Sequence, residues 1–135
     1  MAALPAGALA PGLAVDAQGL PFCVSPRLPA PAVAALGRLV SAYVEQVLSY
    51  GREWRVIALA RALDPTSPLI AVLAADYALA CEDVPGAVSL VKAATRLKAV
   101  GGARLSSRER LYVQAFKTYA GKQREKNWQY IHIFE

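Results

Sequence analysis

Histidine occurs once in the 135 residues, at His132, and cysteine twice, at Cys23 and Cys81. A lone histidine near the end of the chain gives no Ser-His-Asp set that can be drawn from spacing. The two cysteines match no zinc-ligand pattern and make no disulfide framework, so no metal is expected and a reducing compartment, the cytoplasm, is the expected home. Long apolar runs are missing as well. The stretch Leu69–Cys81 is broken by Asp76 and falls short of the roughly 18 residues that span a bilayer, which excludes membrane insertion by a helix as a reading. No charge precedes Asp16 and no basic residue precedes Arg27. A secretory signal begins with basic residues and a mitochondrial transit peptide is Arg-rich, so the start reads as neither.

Large aromatic side chains are scarce too: three Phe, two Trp and six Tyr. Alanine and leucine fill the space instead, and 56% of residues are apolar. That composition belongs to a globular chain whose helices pack closely over small side chains. The expected class is all-α, with about five to six helices arranged as antiparallel hairpins.

Punctuation along the chain divides it. Pro5, Pro11, Pro21, Pro26, Pro29 and Pro31 prevent helix over residues 1–30, because proline lacks the amide donor and has a fixed φ. This segment is expected to be a flexible or extended arm lying along the first helix. Residues 31–121 then read as the helical domain. Val33, Leu36, Val40, Tyr43, Val44, Val47 and Leu48 recur at helical steps and predict a helix over 31–50, stopped at Gly51. A second helix over 52–63 has Trp54, Ile57, Ala58 and Leu63 as its buried side and ends at Asp64-Pro65. Ser67 and Pro68 open a third as cap and first helical residue, with Leu69, Val72, Leu73, Tyr77 and Ala80 as its face. Asp83 caps a fourth, which ends near Val100 before Gly101-Gly102. Ser106 and Glu109 form a capping box for a fifth, with Leu111, Tyr112, Ala115, Phe116 and Tyr119 as its apolar face and Gly121 as its end. Residues 122–135 form a divergent polar tail, long enough for a short sixth helix anchored by Trp128, Ile131 and Phe134.

A repeat signature sits in the middle of the domain. Counting from Ala74, Tyr77 stands three residues on, Gly86 twelve, Leu90 sixteen and Ala93 nineteen. This is the small–large spacing of a TPR hairpin, in which small residues let two helices approach and large ones fill the groove beside them. Further strings follow in order: Asp16-Ala17-Gln18-Gly19-Leu20-Pro21, Ala42-Tyr43-Val44, Ala62-Leu63-Asp64-Pro65, and Leu105-Ser106-Ser107-Arg108-Glu109-Arg110-Leu111-Tyr112-Val113. Over residues 16–121 this order resembles the N-terminal part of the tetratricopeptide repeat protein 38 family. The resemblance implies a longer α-helical solenoid of TPR-like repeats, acting as a scaffold. The likeness fails after Gly121. There the family has a short apolar turn and an alanine-rich helix leading to Trp-Glu. Here Lys122–Asn127 is polar, Lys126 takes a place suited to a small residue, and Trp128 is left to answer to the family's Trp. The expectation is an N-terminal piece with an alternative or aberrant end, whose open solenoid end lacks its cap and either seeks a partner or aggregates.

Charge is unevenly spread. The ten cations from Lys92 to Lys126 face only Glu109 and Glu125, whereas Met1–Val91 carries a net −2. Such a basic half attracts an acidic protein or peptide, and secondarily nucleic acid or an anionic surface. Lys92, Arg96, Arg104 and Arg108 are the candidate contacts with an acidic partner. Tyr112 and Tyr119 are interleaved with these cations, as stacking would require, but their place on the apolar stripe predicts burial instead. The carboxylates Asp64, Asp76, Glu82 and Asp83 read as caps and turn residues rather than acid–base pairs. Gly101-Gly102 lacks the Lys-Ser/Thr of a phosphate loop. No catalytic residue and no cofactor is expected. The function expected is a non-enzymatic, protein-binding scaffold or adaptor.

Overall fold

The computed structural model describes residues 12–48, 55–101 and 105–133, with 100–101 and 123–133 described as backbone alone. These residues form a two-stranded sheet, β1 (Leu13–Val15) and β2 (Pro21–Cys23), followed by α1 (Ala30–Leu48), α2 (Val56–Leu63), α3 (Pro68–Ala80), α4 (Val84–Gly101) and α5 (Ser107–Ile133). The molecule is mostly helical, as its composition requires. Trp54 and the expected start of the second helix lie outside the described residues.

The small sheet was not foreshadowed. Leu13, Ala14 and Val15 pair antiparallel with Cys23, Phe22 and Pro21. Asp16 organises the turn between them. Its Oδ1 accepts the amides of Gln18 and Leu20, each at 3.0 Å, and its carbonyl accepts Gly19 N–H at 3.0 Å. Gly19 adopts φ +81°, which suits glycine at this bend. Pro21 is tolerated because it opens a strand with one free edge. Residues 12–29 are non-helical, as their prolines demand, and 13–23 folds back and is built into the core. Ala14, Phe22 and Val24 are buried with Leu36, Val40 and Tyr43 of α1 and with Ile57 and Ile70. Gly37 makes this possible: a Cβ there would collide with the Val15 carbonyl oxygen, so α1 and β1 touch backbone to side-chain-free backbone. Residues 1–11 lie outside the described residues.

At the centre lies α3. The Ser67 hydroxyl accepts Ile70 N–H at 3.4 Å and Pro68 occupies the first turn, as its sequence signals require. The expected single apolar face is replaced by burial all round: Pro68 through Ala75, and Ala78, are buried, while Ala80 is exposed. The reason is that α2, α4, α5 and β2 all pack against it, and a helix apolar on every side belongs in an interior.

On α4, Asp83 Oδ1 accepts Gly86 N–H at 3.0 Å, the expected cap. Its most buried residues are Ala87, Val91 and Ala94, one position on from Gly86, Leu90 and Ala93. Leu90 is half-buried, at the edge of two clusters. Ala71, Ala75 and Ala78 of α3 meet Ala87, Ala94 and Ala120 across the helix contacts, small side chains that allow close packing.

Two expectations for α5 are corrected. It runs through Gly121 to Ile133 instead of stopping, because an exposed glycine costs a helix only about 1 kcal/mol and cannot by itself end one. Over its described side chains, up to Lys122, the buried residues are Glu109, Val113 and Ala120, with Phe116 half-buried, whereas Leu111, Tyr112 and Tyr119 are 70%, 41% and 50% exposed. The inward face is selected by the docking of Glu109 beneath β2 and by the small Ala120 against α3 and α4, not by total hydrophobicity.

Candidate partner-binding groove

Between α4 and α5 runs an open groove of about 380 Å³. Val88 and Val91 of α4 and Ala120 of α5 form its apolar floor, and Gly121 leaves one wall without a side chain. Nothing lies within 4 Å of a Cβ built at Gly121. Lys92 and Arg96 rise from α4, one helical turn apart, and Lys117 stands on α5. All three are exposed. No carboxylate among the described residues forms an ion pair with any of these three cations. Thr95 also lines the groove, but its hydroxyl is turned back to the Val91 carbonyl at 2.9 Å.

The four cations singled out from the sequence do not form one site. Lys92 and Arg96 share the groove. Arg104 lies outside the described residues. Arg108 is half-buried and its Nη1 binds Asp16 Oδ2 at 2.9 Å, which ties the start of α5 to the hairpin turn. It lies nine residues before Lys117, about 13 Å along the helix. Arg108 is thus engaged in holding the fold. Lys117, read in the sequence only as one of the basic stretch, and Gly121, read as a helix end, take the remaining places in the groove. Their only signal is the antiparallel pairing of α4 with α5, which no local pattern carries.

The exposed tyrosines do not join the cations. Tyr119 follows Lys117 by two residues, about 200° around the helix. Tyr112 lies on the same flank as Tyr119, and Tyr119 meets Phe116 edge-to-face at 6.4 Å. Lys117 and the tyrosine faces therefore occupy different sides of α5.

The carboxylates have structural partners. Asp64, 1% exposed, accepts Ser25 N–H at 2.8 Å, Thr66 N–H at 2.9 Å and the Thr66 hydroxyl at 2.6 Å. Asp76 accepts the Tyr43 hydroxyl at 2.5 Å. Burial, and next this bond to Asp76, push the Tyr43 pKa well above its ordinary value of 10.0. Glu82 takes a left-handed turn conformation, φ 62°. Among the described residues no three His, Cys, Asp or Glu side chains converge as metal ligands do, and no described helix is long and apolar enough to cross a membrane. The side chain of His132 is outside the description. What the groove can do chemically is attract an anionic segment and cover its apolar side chains.

No family model matches the chain, and no curated protein or solved structure is significantly similar to it.

Proposed function

We propose that this protein is a non-enzymatic interaction module, a TPR-like helical scaffold or adaptor of the cytoplasm, whose α4–α5 groove receives an acidic segment of a partner protein. The observation that carries the reading is the set of three unopposed cations, Lys92, Arg96 and Lys117, around an apolar floor. A segment that alternates carboxylates with apolar side chains satisfies both parts at once. The short connections between successive helices and the resemblance of residues 16–121 to the tetratricopeptide repeat protein 38 family support the scaffold reading. The alternative, a nucleic-acid surface, needs stacking faces beside the cations, and Tyr112 and Tyr119 lie on the opposite flank of α5.

Fluorescence anisotropy tests this with a labelled Glu/Leu amphipathic peptide, its Gln/Leu counterpart and a single-stranded oligonucleotide. The acidic peptide is expected to bind, the neutral one at least tenfold more weakly. The double substitution Lys92→Glu/Arg96→Glu should reduce acidic-peptide binding by a similar factor, about 1.4 kcal/mol. Gly121→Trp should block the groove without disturbing the fold, since the position is open. Tighter binding of the oligonucleotide, falling steeply with added salt, would overturn the peptide reading.

A further inference from the structure

A second cleft, of about 520 Å³, opens between α2, α3 and the start of α4. Its walls are mainly apolar, among them Ile57, Ala62, Ala74, Ala78 and Leu90. A mostly apolar cleft of this size with few polar groups is the usual form of a small-molecule site.

Four polar side chains line it: Arg61, Tyr77, Cys81 and Asp83. Three have protein partners. Asp83 caps α4 through Gly86 N–H at 3.0 Å. The Tyr77 hydroxyl is hydrogen-bonded to the Cys81 thiol. Arg61 differs. Its Nη1 is shielded from solvent and has no hydrogen-bond partner, and no described carboxylate lies within ion-pair distance. A buried guanidinium donor without an acceptor is costly, and the planar fork of arginine matches a carboxylate in two parallel hydrogen bonds. Arg55 adds a second positive charge to the field at Tyr77.

We propose that this cleft binds a small amphiphilic carboxylate, its apolar body against the alanine, isoleucine and leucine walls and its carboxylate on Arg61. The site is separate from the α4–α5 groove and stands whether or not that groove binds a peptide.

The protein carries its own reporter. Cys81 is exposed at the cleft, whereas Cys23 is buried, so alkylation of the folded chain by a maleimide reads Cys81. Decanoate is the probe, with decanol and decylamine as controls of equal chain length. Decanoate should slow alkylation at least tenfold and saturably, and the controls should not. The Arg61→Gln variant should lose that protection while keeping a cooperative thermal melt. Ala62→Phe, at an exposed cleft-lining position, fills the cleft and leaves Arg61 in place. It should lose decanoate binding by calorimetry, and it decides the matter if Arg61→Gln does not fold. Equal protection by decylamine or decanol, full protection in folded Arg61→Gln, or undiminished binding to Ala62→Phe each overturns the proposal.

Discussion

Glu109 accepts the backbone N–H of Cys23 at 3.0 Å through Oε2, joining α5 to β2 across 86 residues of sequence. Its Oε1 takes the Ser106 amide and hydroxyl, each at 3.2 Å, and Ser106 Oγ accepts Glu109 N–H at 3.2 Å. One side chain, 1% exposed, thus closes the capping box of its own helix and ends a strand from the other end of the chain. Arg108, beside it, holds Asp16 of the same hairpin.

Removing that carboxylate should loosen both ends of the link. Glu109→Ala strands two amides and is expected to cost about 2–4 kcal/mol, whereas Glu109→Gln keeps an acceptor oxygen and should cost about 1–2 kcal/mol. Denaturant melts measure the stability. Hydrogen exchange at the Cys23 amide locates the effect, and unchanged protection there in Glu109→Ala would show that the hairpin is held by other contacts.

Two glycines should respond oppositely to alanine. A Cβ on Gly37 meets the Val15 carbonyl, so Gly37→Ala must push β1 off α1, at about 1–3 kcal/mol. A Cβ on Gly121 meets nothing within 4 Å, and the helix continues through it. Gly121→Ala should therefore stabilise the protein by about 0.5–1 kcal/mol. A loss of stability at Gly121 would mean that α5 ends there, as the sequence suggests.

Tyr43 predicts an alkaline limit. Its pKa is raised in the folded chain by burial and by the bond to Asp76, so above pH 10 the unfolded chain loses the phenolic proton first. The contribution is fully present below the unfolded value of about 10 and falls by about 1.4 kcal/mol for each further pH unit. Tyr43→Phe should cost about 1–2 kcal/mol at neutral pH through the lost bond. Its disadvantage against the parent should shrink above pH 10, because phenylalanine does not titrate. Paired melts across pH 8–11 check this, and a constant difference would contradict it.

The groove predicts binding effects without stability effects. Lys92 and Arg96 are exposed and form no ion pair among the described residues. Lys92→Glu/Arg96→Glu should move the melting free energy by no more than about 0.5 kcal/mol per site. A larger drop would show that these cations support the fold itself.

Helix starts were legible in the sequence wherever the deciding bond is local. Ser67 to Ile70, Asp83 to Gly86 and Ser106 with Glu109 each span three residues, so residue identity and spacing suffice. The helical class was legible for the same reason, from apolar steps along α1 and the proline breaks before it. The hairpin was not, because three-residue strands carry no periodicity and are stabilised by α1 through Gly37 and by Glu109 from 86 residues away. Nor was the buried face of α5. Leu111, Tyr112 and Tyr119 make the more hydrophobic stripe, yet Glu109, Val113 and Ala120 face inward, since the neighbours a helix meets, and not its own hydrophobicity, choose which side is covered. The candidate site divides in the same way. Lys92 and Arg96 shared a face by spacing alone, one turn apart on a helix. That Lys117 and Gly121 complete their groove, and that Arg108 is drawn off to Asp16, was decided only when α5 packed antiparallel on α4 and under the hairpin.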